Sequence, residues 1–251
     1  FPYTTLFRSM EIRMIGTGSI GARSRSASTL IDNRILIDCG NGIIKTISSY
    51  GISVKDIDVI LITHLHGDHF LDIPFILFQR IFDDATNELK IYGPIGTKDT
   101  LKQLFELAYK GSNYEDKLEQ ANIDIIDYEV LDNYEVLPNY YVTSKEVEHG
   151  DFKPAYGFII KHDSHSISIS GDSSYCPSVI ELVKNSDISI LDTTFISGNL
   201  KHMGLDNIET IIYKYQKKII PTHMDDLTRV EATKRNINNL IILDDGDVYN
   251  L

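Results

Sequence analysis

Cysteine is scarce in this sequence. Its two copies, Cys39 and Cys176, stand apart from each other and from any metal or redox spacing, which argues against a disulfide framework and favours a reducing, cytoplasmic setting. Long apolar runs are missing too. No stretch approaches the roughly 20 residues of a membrane-spanning helix, and no basic region followed by an apolar core marks a secretory signal, so no membrane partner is expected. Positive charge is in short supply: 24 Lys and Arg against 36 Asp and Glu give a formal net charge of −12. Such a field repels nucleic acid.

What is present suits a globular enzyme. The 251 residues are 42% hydrophobic and no linker or low-complexity segment interrupts them, so residues 10–251 are read as a single domain. Phe1 to Ser9 fit poorly with the strand-like Glu11-Ile12-Arg13-Met14-Ile15. They are read as a non-native or disordered leader ahead of Met10.

Strand and helix patterns alternate along the chain. Strand-like runs cover Thr29 to Ile31, Arg34 to Ile37, Ile57 to Ile62, Leu89 to Tyr92, Tyr156 to Lys161, Ser166 to Ser170, Asp187 to Leu191, Lys218 to Pro221 and Leu240 to Leu243. Helical periodicity falls over Gly42 to Tyr50, His69 to Phe82, Thr97 to Lys110, Pro177 to Lys184, Leu205 to Lys217 and Asp225 to Asn236. This mixture predicts a layered α/β fold. Gly111 to Tyr141 has the weakest pattern and reads as a loop or lid. The halves also rhyme, with Asp38-Cys39-Gly40 after one strand and Gly171-Asp172-Ser173 after another, as an internal duplication would leave them.

The richest stretch is Thr63-His64-Leu65-His66-Gly67-Asp68-His69, which follows the apolar run Ile57 to Ile62. Alternate residues at a strand end point the same way, so His64 and His66 can converge on one ion. Past Gly67 the chain can turn, letting Asp68 and His69 face back toward a second. Imidazole and carboxylate donors suit zinc or a similar divalent metal. His149, Asp172 and His223 each end a strand-like run, where a ligand is held firmly yet stays accessible. His162 and His165 read as a solvated turn without a ligand role. Phe70, Phe75, Phe78 and Phe82 read as core or as a dimer face.

These motifs resemble the metallo-β-lactamase superfamily, and most closely its ribonuclease Z-like branch. Gly16-Thr17-Gly18-Ser19, Ile37-Asp38-Cys39-Gly40-x-Gly42 and Ile91-Tyr92-Gly93-Pro94 add to the resemblance, which spans Met10 to His223. It implies an αββα sandwich with two metal ions at one edge, zinc first and manganese as the alternative. By the resemblance, His64, His66 and His149 hold one ion, Asp68, His69 and His223 the other, and Asp172 bridges them. A hydroxide bridging the metals would be the nucleophile, with Asp68 orienting it. His202 matches the histidine that this branch uses near the scissile phosphate, and Asp192 stands where the branch has a glutamate that orients it. The resemblance also allows a homodimer.

One departure bears on substrate. In the transfer-RNA processing enzymes a long arm that grips RNA lies between the residues matching His149 and Asp172, whereas here only Gly150 to Gly171 separate them. The turn after the first motif departs as well, reading Asn41-Gly42-Ile43-Ile44-Lys45. The expectation is therefore a phosphodiesterase for small phosphodiesters such as cyclic nucleotides, with RNA disfavoured. The alternatives are a transfer-RNA 3′-processing endonuclease, an ester, lactone or β-lactam hydrolase, and a metal-stabilised binding module.

Overall fold

The computed structural model describes residues 9–251, so the expected leader, apart from Ser9, lies outside the described residues. Period-two burial lays down the first sheet. β1 (Glu11–Gly16) sends Ile12 and Met14 to one face and Ile15 to the other, and β2 (Ser28–Ile31) and β3 (Ile35–Ile37) pair beside it antiparallel. Thereafter the pairing is parallel. α1 (Ile43–Ser49) leads to β4 (Val59–Leu61), α2 (Gly67–Phe70) and α3 (Ile73–Phe82) to β5 (Leu89–Pro94), and α4 (Thr97–Ala108) and α5 (Tyr114–Ala121) to β6 (Ile123–Tyr128).

The second sheet repeats that plan. β7 (Tyr134–Leu137), β8 (Tyr140–Glu146), β9 (Tyr156–His162) and β10 (His165–Ile169) form an antiparallel meander. α6 (Pro177–Lys184) then crosses to β11 (Ile188–Asp192), and α7 (Leu205–Tyr215) to β12 (Lys218–Thr222), both parallel to β10. α8 (Asp226–Arg235) follows, and β13 (Val248–Asn250) returns to pair with β1. In each sheet, then, a meander gives way to parallel crossovers directly after an aspartate loop, at Asp38 and at Asp172. The rhyme between the halves is one of topology.

Three apolar layers hold this together. Ile35, Ile37, Val59 and Leu61 of the first sheet meet Phe158, Ile160, Ile188 and Ile190 of the second in the central core. Leu36, Ile60 and Ile91 turn outward under α1, α3 and α4, and Ile159, Leu191 and Ile219 turn outward under α6 and α7. Helices thus cover both outer faces of two stacked sheets. Truncating a side chain such as Ile160 to alanine removes about 2–5 kcal/mol.

Four sequence expectations change. Gly111 to Tyr141 is no lid: it supplies α5, β6, β7 and the start of β8. Leu240 to Leu243 forms no strand, although Ile241 and Leu243 pack on the core and backbone bonds join Ile219 to Asn239 and Ile241. The helix expected over His69 to Phe82 breaks at Leu71-Asp72. There the Asp72 carboxylate accepts the Ile44 N–H at 3.0 Å, and Pro74, which has no N–H to donate, opens α3. His162 is buried rather than solvated, stacked on Tyr140 with 3.9 Å between ring centroids. Of the phenylalanines, Phe70 is buried while Phe75 and Phe82 are exposed.

Candidate metal centre

Strand direction brings the chemistry to one edge. β4, β10, β11 and β12 all end there, β8 arrives beside them, and the expected ligands lie on the loops that follow. A bridge from Gly18 to Met224 ties the two sheets together at this edge. Close approach demands small residues: a methyl group on Gly40 would overlap the carbonyl oxygen of Asp68, and Gly171, at φ +61°, lies against Thr63 and the carbonyl of Tyr156.

His64, His66, His149 and Asp172 form one group. His66 Nδ1 lies 3.0 Å from His64 Nε2 and 3.2 Å from His149 Nε2. The far side of each partner ring fixes its tautomer. His149 Nδ1 lies 2.8 Å from the carbonyl oxygen of Lys201, which can only accept, so Nδ1 carries the proton. His64 Nδ1 faces Thr63 Oγ1 at 3.0 Å, and that hydroxyl is committed as donor to Asp38 at 2.8 Å. Both rings therefore aim a bare Nε2 at the same point. Phe152 covers the outer side, its ring centroid 4.0 Å from that of His66.

Asp68, His69 and His223 form the second group. His69 donates from Nδ1 to Asp38 Oδ2 at 2.7 Å, and its buried Nε2 makes no hydrogen bond, facing only the carboxylates of Asp172 and Asp68 at 3.5 and 3.8 Å. His223 Nδ1 lies 2.8 Å from Thr194 Oγ1, and its Nε2 is 3.5 Å from Asp68 Oδ2. Asp172 stands between the groups. One oxygen lies 3.5 Å from His69 Nε2, and the other 3.4 Å from His223 Nε2 and 3.9 Å from His64 Nε2. Donors around a tetrahedral zinc at about 2.0–2.1 Å sit roughly 3.4 Å from each other. A buried nitrogen without a hydrogen bond and donor atoms converging at that spacing fit a divalent cation.

Electrostatics point the same way. Burial pushes His64 well below its ordinary pKa, with His69 adding to the effect, and burial followed by His149 lowers His66. Those rings are neutral ligands in waiting. Burial is the largest influence on His69 and His223 and opposes their charge, yet Asp172 and Asp38 together at His69, and Asp172, Asp68 and Asp192 together at His223, outweigh it, and both pKa values rise. Burial works against ionising Asp172, but His223 and His69 prevail and hold it well below the usual carboxylate range. Protons here sit where a metal would take their place.

His202 and Asp192 are together as well. His202 Nδ1 lies 2.8 Å from Asp192 Oδ2 and 3.9 Å from Asp172, and its ring stacks beside that of His223. Asp172, Asp192, His202 and His223 are close enough to suggest a further cation position, but Asp192 already receives Ser173 N–H, Thr194 N–H, the Thr194 hydroxyl and His202. That carboxylate has no acceptor capacity left for a metal. Burial would lower the His202 pKa, but Asp192 more than offsets it and the net shift is upward.

The structure thus gathers every expected site residue at one edge. It also adds partners to which sequence reading gave no role: Asp38 behind His69, Thr63 behind His64, the Lys201 carbonyl behind His149, and Thr194 behind His223. The signal for Asp38 was present as an aspartate ending a buried strand before Cys39-Gly40.

Residues 10–249 match the family described as Anti-Pycsar protein Apyc1. The chain belongs to that family. Among curated relatives of this Apyc1 family member, the ribonuclease Z of Metallosphaera sedula is 29% identical over 233 residues, covering 75% of this chain and 77% of its own. That of Mycolicibacterium gilvum is 27% identical over 181 residues, 66% of this chain and 63% of its own, so the match spans under two thirds of that relative. Two solved structures superpose along most of their length. The metallo-β-lactamase fold protein YhfI from Bacillus subtilis gives a TM-score of 0.76 at 20% identity, covering 97% of this chain and 100% of that one. A diphosphatase from the PhnP family gives 0.77 at 22% identity, covering 97% and 98%. The fold is the αββα sandwich of the metallo-β-lactamase type.

Proposed function

We propose that this Apyc1 family member is a dinuclear metal-dependent phosphodiesterase that hydrolyses small phosphodiesters, with cyclic nucleotides the first substrates to try. The observation that carries the reading is the His202–Asp192 pair at 2.8 Å beside Asp172. An alkoxide leaving group needs a proton, and an imidazole backed by a buried carboxylate is built to give one. Carbonyl substrates could use the same ligand set, so the proton donor is what favours phosphate. A ribonuclease and a diphosphatase, the names of its relatives and of one structural neighbour, both cleave phosphorus–oxygen bonds.

His64, His66 and His149 would hold one ion, Asp68, His69 and His223 the second, and Asp172 both. Zinc suits the donors, with manganese as the alternative. When bound, such ions polarise the phosphoryl group and acidify water. Asp68 accepts a hydrogen bond from the attacking water and sets its direction. His202 transfers its Nε2 proton to the departing oxygen as the phosphorus–oxygen bond breaks, and Asp192 holds the ring by Nδ1 meanwhile.

Compact substrates are favoured by what joins His149 to Asp172. That segment is a short loop and the β9–β10 hairpin, turning at Asp163-Ser164, with no projecting arm. The ribonuclease Z relatives support RNA as the second reading. Incubating metal-loaded protein with 3′,5′-cyclic nucleotides and, separately, with a transfer-RNA precursor decides between them. Faster turnover of cyclic nucleotides supports the proposal, and site-specific RNA cleavage with inert cyclic nucleotides overturns it.

A further inference from the structure

Thr194 is buried on the loop after β11, and its hydroxyl touches three groups. Oγ1 lies 2.6 Å from Asp192 Oδ1, 2.8 Å from His223 Nδ1 and 3.2 Å from His202 Nδ1. A hydroxyl has one proton to give. An ionised carboxylate only accepts, and 2.6 Å is the length of a charge-assisted O–H···O⁻ bond, so the proton goes to Asp192. Oγ1 is then left to accept, and the nearer histidine, His223, donates its Nδ1–H. His202 instead donates directly to Asp192 Oδ2 at 2.8 Å.

We infer that Thr194 is a positioning residue that couples the two halves of the site, joining His223, a candidate metal ligand, through one hydroxyl to the same Asp192 carboxylate that holds His202. The inference rests on the metal-site reading above, though not on any substrate. Polarised by Asp192, the Thr194 hydroxyl is a stronger acceptor, which fixes His223 as the Nδ1–H tautomer with Nε2 facing Asp68 and Asp172. The backbone reinforces the link, because Thr193 N–H bonds to the Thr222 carbonyl at 2.9 Å and Asp225 N–H to that of Thr194 at 3.1 Å. The Asp192 loop and the His223 loop are therefore laced together on both sides of this hydroxyl. His223 itself sits at φ +55°, a conformation that a β-carbon disfavours and that such lacing can hold.

The test measures metal, not turnover. Calorimetric zinc titration of Thr194→Val, Thr194→Ser, Asp192→Asn and the double variant Asp192→Asn/Thr194→Val should show the second ion binding 10–100-fold more weakly in Thr194→Val. Thr194→Ser should restore the affinity. Asp192→Asn should weaken that ion on its own yet add little on top of Thr194→Val, since the hydroxyl is the hydrogen-bonded link from its carboxylate to His223. Nitrogen-15 spectra of the metal-free protein, recorded above the raised pKa of His223 so that its ring is neutral, should show His223 as the Nδ1–H form in wild type and in Thr194→Ser, but mixed in Thr194→Val. Wild-type affinity and a single His223 tautomer in Thr194→Val would overturn the inference, as would strictly additive losses in the double variant. Should Thr194→Val fail to fold, Asp192→Asn decides: wild-type affinity for both ions refutes the link, and a weakened second ion upholds it. Failure of the phosphodiesterase reading would look different, as inactive protein with both ions bound.

Discussion

His202 and Asp192 meet at 2.8 Å although they come from opposite ends of one loop, and the Asp192 carboxylate, which His202 shares with Thr194, is completely buried. A proton donor matters most when the leaving group is poor. His202→Ala should therefore lower kcat by roughly 10²–10⁴-fold for an alkoxide leaving group, but by far less for p-nitrophenolate, which departs without help. Steady-state rates across phosphodiesters of graded leaving-group acidity read this directly. An equal loss along the series would assign His202 to binding instead.

Asp38 is the residue through which the first half of the fold orients His69. Its carboxylate receives Thr63 N–H, the Thr63 hydroxyl and His69 Nδ1. Asp38→Ala should cost 10–100-fold in affinity for the ion on His69, measured by zinc titration. His64 should feel the change as well, since it reaches Asp38 through Thr63.

Metal binding should release protons, mainly from the second group. In the metal-free protein His69 and His223 have raised pKa values, so below those values an incoming ion must displace their protons, whereas His64 and His66 are lowered and already neutral. Apparent affinity for the second ion should rise with pH until it passes the raised values, then level off. Titrations in buffers of different ionisation enthalpy count those protons. A pH-independent second affinity, with no proton release, would contradict the assignment.

Gly40 lets the turn after β3 pass against the backbone of Asp68. Gly40→Ala should destabilise the protein by about 1–3 kcal/mol through overpacking and, because the obstructed atom belongs to Asp68, reduce metal affinity too. Thermal unfolding and metal titration of the same sample test both effects.

The site was legible in the sequence where its residues are contiguous or end a strand. His64 to His69 declare themselves by spacing, and His149, Asp172 and His223 by terminating apolar runs. Thr194 and the Lys201 carbonyl did not, because what they do depends on loops that meet only in three dimensions: three strands and a helix separate His149 from Lys201 along the chain. The misread elements have similar causes. Gly111 to Tyr141 looked like a loop because α5 is short and largely polar and β6 and β7 are half exposed, so neither shows a clean apolar face. Leu240 to Leu243 has the composition of a strand, but only Ile219 offers it backbone pairing, and burial of Ile241 and Leu243 proceeds without a ladder.

The central claim, that this edge is a two-metal phosphodiesterase site, is tested most directly with bis-p-nitrophenyl phosphate. Protein stripped of metal and reloaded with zinc or manganese should regain turnover, while His66→Ala, treated identically, should not. Confirmed loading of both ions with no turnover by either metal would contradict the claim.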